Sequence, residues 1–106
     1  MEEEQYEKLI LLGIYLPYVK DVLIKKNTNG AYDHALALLH VDLRKMKERL
    51  YKERISIRPI DNGQKLFKGF IISQKGQTIE KSFFKPHMKN VIKTLIGKYI
   101  AQQSLL

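Results

Sequence analysis

A chain of 106 residues has room for one small core, and 44% hydrophobic with 28% charged residues is an ordinary globular balance that excludes wholesale disorder. The absence of cysteine removes disulfides, thiolate nucleophiles and every cysteine-containing zinc site. The net charge of +8 is unevenly spread: residues 1–43 hold seven acids against four lysines, a net of −3, while residues 44–106 hold fifteen Lys and Arg against four acids, a net of +11.

The chain opens with a run of glutamates, unlike the basic start of a signal peptide. Its most apolar run, Leu9 to Val19, spans 11 residues and contains Gly13 and Pro17, well short of the roughly 20 that cross a bilayer. The expectation is a single cytoplasmic domain over residues 1–106.

Residues 3–26 predict a helix. Leu9, Leu12, Leu16, Val19 and Leu23 recur every three or four residues, acids stand at its start and Lys25 and Lys26 at its end. Gly13 and Pro17 leave two readings open, one kinked helix or two short ones; the unbroken stripe favours one. Asn27-Thr28-Asn29-Gly30 is a turn, and a second helix over 31–53 carries Tyr32, Leu36, Leu39, Leu43, Met46 and Leu50 as its stripe. A turn this short folds the two helices into an antiparallel hairpin.

From Ile55 the period changes to two. Residues 54–58 alternate, and Pro59 confines that strand to an edge. Asp61-Asn62-Gly63 predicts a tight hairpin turn, residues 65–73 a central strand apolar on both faces, Lys75-Gly76 a second turn, and 77–84 a third strand. Pro86 suits the first turn of a last helix over 86–102, with Met88, Ile92, Leu95 and Tyr99 in a stripe; the tail 103–106 is expected to fray. The fold class is therefore α+β, in the order α-α-β-β-β-α: an N-terminal helical hairpin, a three-stranded antiparallel meander and a C-terminal helix.

Charge carries the functional reading. Lys45, Arg49 and Lys52 share one helical face, Arg54 and Arg58 continue the basic stretch, and Lys85, Lys89 and Lys93 are four apart on the last helix. Cations at such spacings neutralise phosphates, so these eight residues are the expected nucleic-acid contacts. If the second and third helices lie side by side, both stripes share a surface. The four phenylalanines, Phe67, Phe70, Phe83 and Phe84, stand among lysines and are of a kind that stacks on bases, but a domain this small needs them as core. The first helix is apolar on more than one face. Leu11, Ile14, Tyr15, Tyr18 and Val22 are the expected contacts with a partner, a second copy of the chain in the simplest case.

No enzyme motif is present. His34 and His40 are six apart and diverge on a helix, and no P-loop, GxSxG, HExxH or GxGxxG run occurs. No catalysis, metal or cofactor is expected, and no small-molecule substrate. The reading is a basic, non-catalytic protein that binds nucleic acid or another polyanion through its C-terminal half in a regulatory or accessory role. The alternative is a protein–protein adaptor or homodimer that uses the helical hairpin.

Overall fold

A computed structural model describes residues 2–106. It contains α1 (Glu3–Lys26), α2 (Asp33–Lys52), β1 (Ile55–Ile60), β2 (Phe67–Gln74), β3 (Gln77–Phe84) and α3 (Lys85–Ile100), with the three strands antiparallel in the order β1-β2-β3. This is the expected α-α-β-β-β-α arrangement, with β2 central and the Pro59-bearing strand at an edge. Among the described residues no helix is long and apolar enough to cross a membrane.

α1 is one continuous helix. Pro17 lacks the N–H that would bond to the Gly13 carbonyl, so the proline removes a single bond, at the turn that also lacks a side chain. At the helix start the Gln5 side chain accepts a hydrogen bond from the Glu2 N–H at 3.3 Å. Asn27 stops the helix and organises the turn. Its side-chain oxygen accepts the Tyr32 N–H at 2.9 Å, and its amide donates to Asp33 at 2.7 Å.

The stripe Leu9, Leu12, Leu16, Val19 and Leu23 is buried together with Leu39, Leu43 and Met46 of α2, as the paired periodicities require. Complete burial of Leu16, Val19 and Leu23 stabilises the hairpin by about 2 kcal/mol each. The other apolar face of α1 meets the sheet. Tyr15 lies edge-on to Phe83 with ring centres 6.2 Å apart, and Tyr18 edge-on to Phe70 at 6.5 Å. This corrects the expectation that Leu11, Ile14, Tyr15, Tyr18 and Val22 await a partner. Ile14 and Tyr15 are buried in the chain's own core, Tyr18 and Val22 are half-buried against it, and only Leu11 stays exposed. α1 is apolar on more than one face because it is the central helix, packed on α2, α3 and the sheet.

Gly13 sets how closely these layers approach. A Cβ there would stand 2.5 Å from Ile57 Cδ1 on β1 and 3.2 Å from Leu50 Cδ1 on α2. The glycine costs α1 helix propensity and in return lets sheet and hairpin meet it at one point.

The two strand connections differ from each other. Lys75 and Gly76 both take positive φ, 50° and 78°, which makes the β2–β3 link a type I′ turn between the paired residues Gln74 and Gln77. The β1–β2 link is longer than the tight turn expected from Asp61-Asn62-Gly63. The Asp61 side chain accepts the Gly63 N–H and the Asn62 side chain the Gln64 N–H, so this segment curls on itself and β2 begins only at Phe67. The tail does not fray: Leu105 and Leu106 pack against the core.

Two helical glycines should respond oppositely to alanine. Nothing lies within 4 Å of a Cβ at Gly97 in α3. Gly97→Ala is expected to stabilise the protein by about 0.5–1 kcal/mol through helix propensity alone. Gly13→Ala gains the same propensity but must displace Ile57, and is expected to destabilise by about 1 kcal/mol net. Urea unfolding of both variants measures the signs; stabilisation by Gly13→Ala would show that the layers are not held as closely as this.

Candidate nucleic-acid interface

Strand alternation gives the sheet two faces. Ile55, Ile57, Phe70, Ile72 and Phe83 point to the helices, and Phe70 and Phe83 meet edge-on at 5.7 Å beneath Tyr15 and Tyr18. The opposite face is laid out in cross-strand rows: Ser56–Ser73–Thr78, then Arg58–Ile71–Glu80, then Ile60–Gly69–Ser82, and at the far end Phe67–Phe84. Every residue in these rows except Gly69 is exposed or half-buried, so among the described residues no helix covers this face.

Phe67 and Phe84 form an exposed aromatic pair on it. Their ring centres are 5.5 Å apart at an interplanar angle of 49°, and they are 39% and 45% exposed. Leu66, also exposed, adjoins them, and the Lys85 N–H donates to the Leu66 carbonyl at 2.8 Å, which carries the ladder one step past the pair. Ile60 folds over Gly69 beside them. A Cβ on Gly69 would stand 2.9 Å from the Ile60 side chain, so the glycine lets the isoleucine lie flat. The sheet thus presents an apolar strip with aromatic rings at its end, Lys65 and Lys85 at its rim, Arg58 on its surface and Glu80 as the one acid in its rows.

This corrects the reading of all four phenylalanines as core. Phe70 is buried and Phe83 half-buried, but Phe67 and Phe84 face outward. The signal for them was in the turn. Counting outward from Lys75-Gly76, the partners after Gln74 and Gln77 run to Phe67 opposite Phe84, on the face opposite to Phe70 and Phe83.

The eight expected cationic contacts do not make one patch. Lys45, Arg49, Lys52, Arg54, Arg58, Lys85, Lys89 and Lys93 are all exposed. Arg49 and Lys52 line a cleft between α1, α2 and the tail, with Lys8, Leu105 and Leu106. Lys52 and Arg54 border a hollow with Tyr51, Ile55 and Ser56 where α2 passes into β1. Lys85 sits at the other end of the sheet, beside Phe84, and Lys89 and Lys93 follow it along α3. The seven residue steps from Phe67 to Gln74 separate the Lys85 end from the Arg54 end by about 23 Å. α2 and α3 do touch, but Lys85 at the start of α3 stands at the opposite end of the sheet from Lys52 and Arg54.

The contact between α2 and α3 is a buried carboxylate. Asp42 is fully enclosed and accepts hydrogen bonds from the Tyr99 hydroxyl at 2.7 Å, the Ser104 hydroxyl at 2.6 Å and the Leu105 N–H at 2.8 Å. Although Asp, Tyr and Ser converge here, all three donors belong to the chain itself and the carboxylate has no open side; the cluster ties α3 and the tail to α2. Asp33 is exposed and accepts a hydrogen bond from the Asn27 amide in the turn before α2. Among the described residues no three His, Cys, Asp or Glu side chains gather in a way that would hold a metal ion.

The chain matches no family model, no curated protein and no solved structure.

The Asp42 tie has a pH signature. Burial, and then the adjacent Asp42 carboxylate, push the Tyr99 phenol well above its usual 10.0. The unfolded chain releases that proton near pH 10 while the folded chain keeps it. The contribution is therefore complete below pH 10 and declines above it, by about 1.4 kcal/mol per pH unit for this one group. Tyr99→Phe should cost about 1–2 kcal/mol at pH 8, since it removes a buried bond to a charged partner, and should lose less stability than the parent between pH 10 and 11. Urea unfolding at pH 8, 10 and 11 measures this, and parallel pH curves for the two proteins would contradict it.

Proposed function

We propose that this protein is a non-catalytic module that binds single-stranded nucleic acid on the open face of its sheet, in a regulatory or accessory role. The observation that carries the reading is the outward Phe67–Phe84 pair, set on an uncovered sheet face and rimmed by lysines. Exposing two large aromatic rings is unfavourable in a folded chain unless something covers them in use. Unstacked bases suit such a surface, because every base has a π-face and stacks on an aromatic ring whatever its sequence. A double helix hides those faces, which favours single strands. The surrounding cations, Lys65, Lys85 and Arg58, supply the phosphate neutralisation that the net charge of +8 suggests. The alternative, an adaptor working through the helical hairpin, has less support, because Ile14 and Tyr15 are already used inside the chain.

Stacking and charge make separable predictions. In fluorescence anisotropy with a labelled oligothymidylate, Phe67→Ala or Phe84→Ala should weaken binding by about tenfold or more, corresponding to roughly 1–3 kcal/mol per stacked base. Both side chains are exposed, so the variants should keep the parent's circular dichroism. Arg58→Gln and Lys85→Gln should each flatten the dependence of log K on log salt by about 0.7, the slope per phosphate for single strands. Unchanged affinity in both phenylalanine variants would remove the proposal; so would binding that survives high salt undiminished.

A further inference from the structure

We infer that the bound strand does not stop at the phenylalanine pair but runs along β1 to Tyr51, which forms a second stacking station. This inference rests on the sheet reading above and extends the site to the other end of the molecule. Tyr51 is 87% exposed, the most exposed of the large apolar or aromatic side chains, although it sits near the end of a well-packed helix. It shares a hollow with Lys52, Arg54, Ile55 and Ser56. Ser56 is the first residue of the Ser56–Ser73–Thr78 row, so this hollow opens at the edge of the uncovered face. Ile55 points to the helices and is buried, and forms the floor rather than the rim.

The elements between the two stations suit a polyanion with unstacked bases. Leaving the Phe67–Phe84 pair, the surface passes Ile60 lying over Gly69, then Arg58, then the hydroxyls of Ser56, Ser73 and Thr78, and arrives at Tyr51 flanked by Lys52 and Arg54. The cations along this line are Arg58, Lys52 and Arg54; of the nearby acids, Glu80 lies on the β3 side of the sheet, Asp61 in the loop after Ile60 and Glu48 one turn back along α2. Arg54 holds a positive φ of 56°, an uncommon conformation for arginine that turns the chain sharply from α2 into β1 and brings Tyr51 back beside Ser56. Apolar and aromatic surface therefore lies at both ends, with cations and hydroxyls between. An acidic peptide would use the cations but has no need of aromatic rings at the two termini; a single-stranded nucleic acid uses both. The six residue steps from Phe67 to Ser73 span about 20 Å, which suits a site of about four nucleotides, the low end for small sheet folds.

A length series tests this. Oligothymidylates and oligouridylates of three to eight nucleotides are titrated by anisotropy into the parent, Tyr51→Ala, Tyr51→Phe and the Phe67→Ala/Phe84→Ala protein. Affinity is expected to rise steeply up to about four or five nucleotides and then level off. Tyr51→Ala should weaken the octamer by about tenfold, as loss of one stacked base requires, and leave the trimer unchanged; Tyr51→Phe should restore octamer binding. The phenylalanine variant should weaken both lengths. If the phenylalanine variant fails on both lengths while Tyr51→Ala binds the octamer like the parent, the track is wrong and the platform stands. If no oligonucleotide binds the parent, the sheet reading itself fails, and the track with it. Tighter binding of poly-glutamate than of the octamer would overturn both. The deoxy and ribo series separate DNA from RNA.

Discussion

The aromatic packing between α1 and the inner face of the sheet is the constraint on which the rest depends. Tyr15 and Tyr18 lie on one face of α1, and Phe70 and Phe83 meet them edge-on. Such pairs add about 0.5–1.5 kcal/mol each beyond the area they bury. More consequential is their directional effect. A strand has only two faces, so fixing Phe70 and Phe83 inward obliges Phe67 and Phe84 to point outward. The exposed pair follows from the core, and a slip of one residue in either strand would bury the platform and expose the core.

Register is held from three sides. The Lys75-Gly76 turn fixes β2 against β3. Gly13 lets Ile57 of β1 approach α1 closely, so the edge strand is gripped from the helix side. Lys75 Nζ stands 5.2 Å over the Tyr6 ring, whose hydroxyl in turn donates to Glu53 at 3.0 Å, so the turn, the start of α1 and the end of α2 are joined. Asp42 then ties α3 and the tail to α2. Each device lies on the helix side or at an end of the sheet, and together they leave the outer face unencumbered.

Much of the fold was legible in the chain. The helix stripes, the period change at Ile55 and Pro59 on an edge strand follow from local rules, and the observed elements match them closely. What was not legible depended on tertiary neighbours. Asp42 reads as an ordinary surface acid until Tyr99 and Ser104 arrive from some sixty residues away. The surplus apolar residues of α1 read as a partner surface because periodicity counts faces but does not say what covers them. The Asp61-Asn62-Gly63 link departs from a tight hairpin turn because the Asp61 and Asn62 side chains accept the Gly63 and Gln64 N–H groups. Charge patterning points to the helical lysines, whereas the outward placement of Phe67 and Phe84 follows only from the strand register.

The most direct test of the central claim is an NMR titration of the aromatic ring protons with a short oligothymidylate. Bases stacking on the outer face should move the Phe67 and Phe84 resonances upfield in proportion to occupancy, while Phe70 and Phe83, covered by Tyr15 and Tyr18, stay within line width. Shifts confined to α2 and α3, with Phe67 and Phe84 unmoved at saturation, would contradict the account.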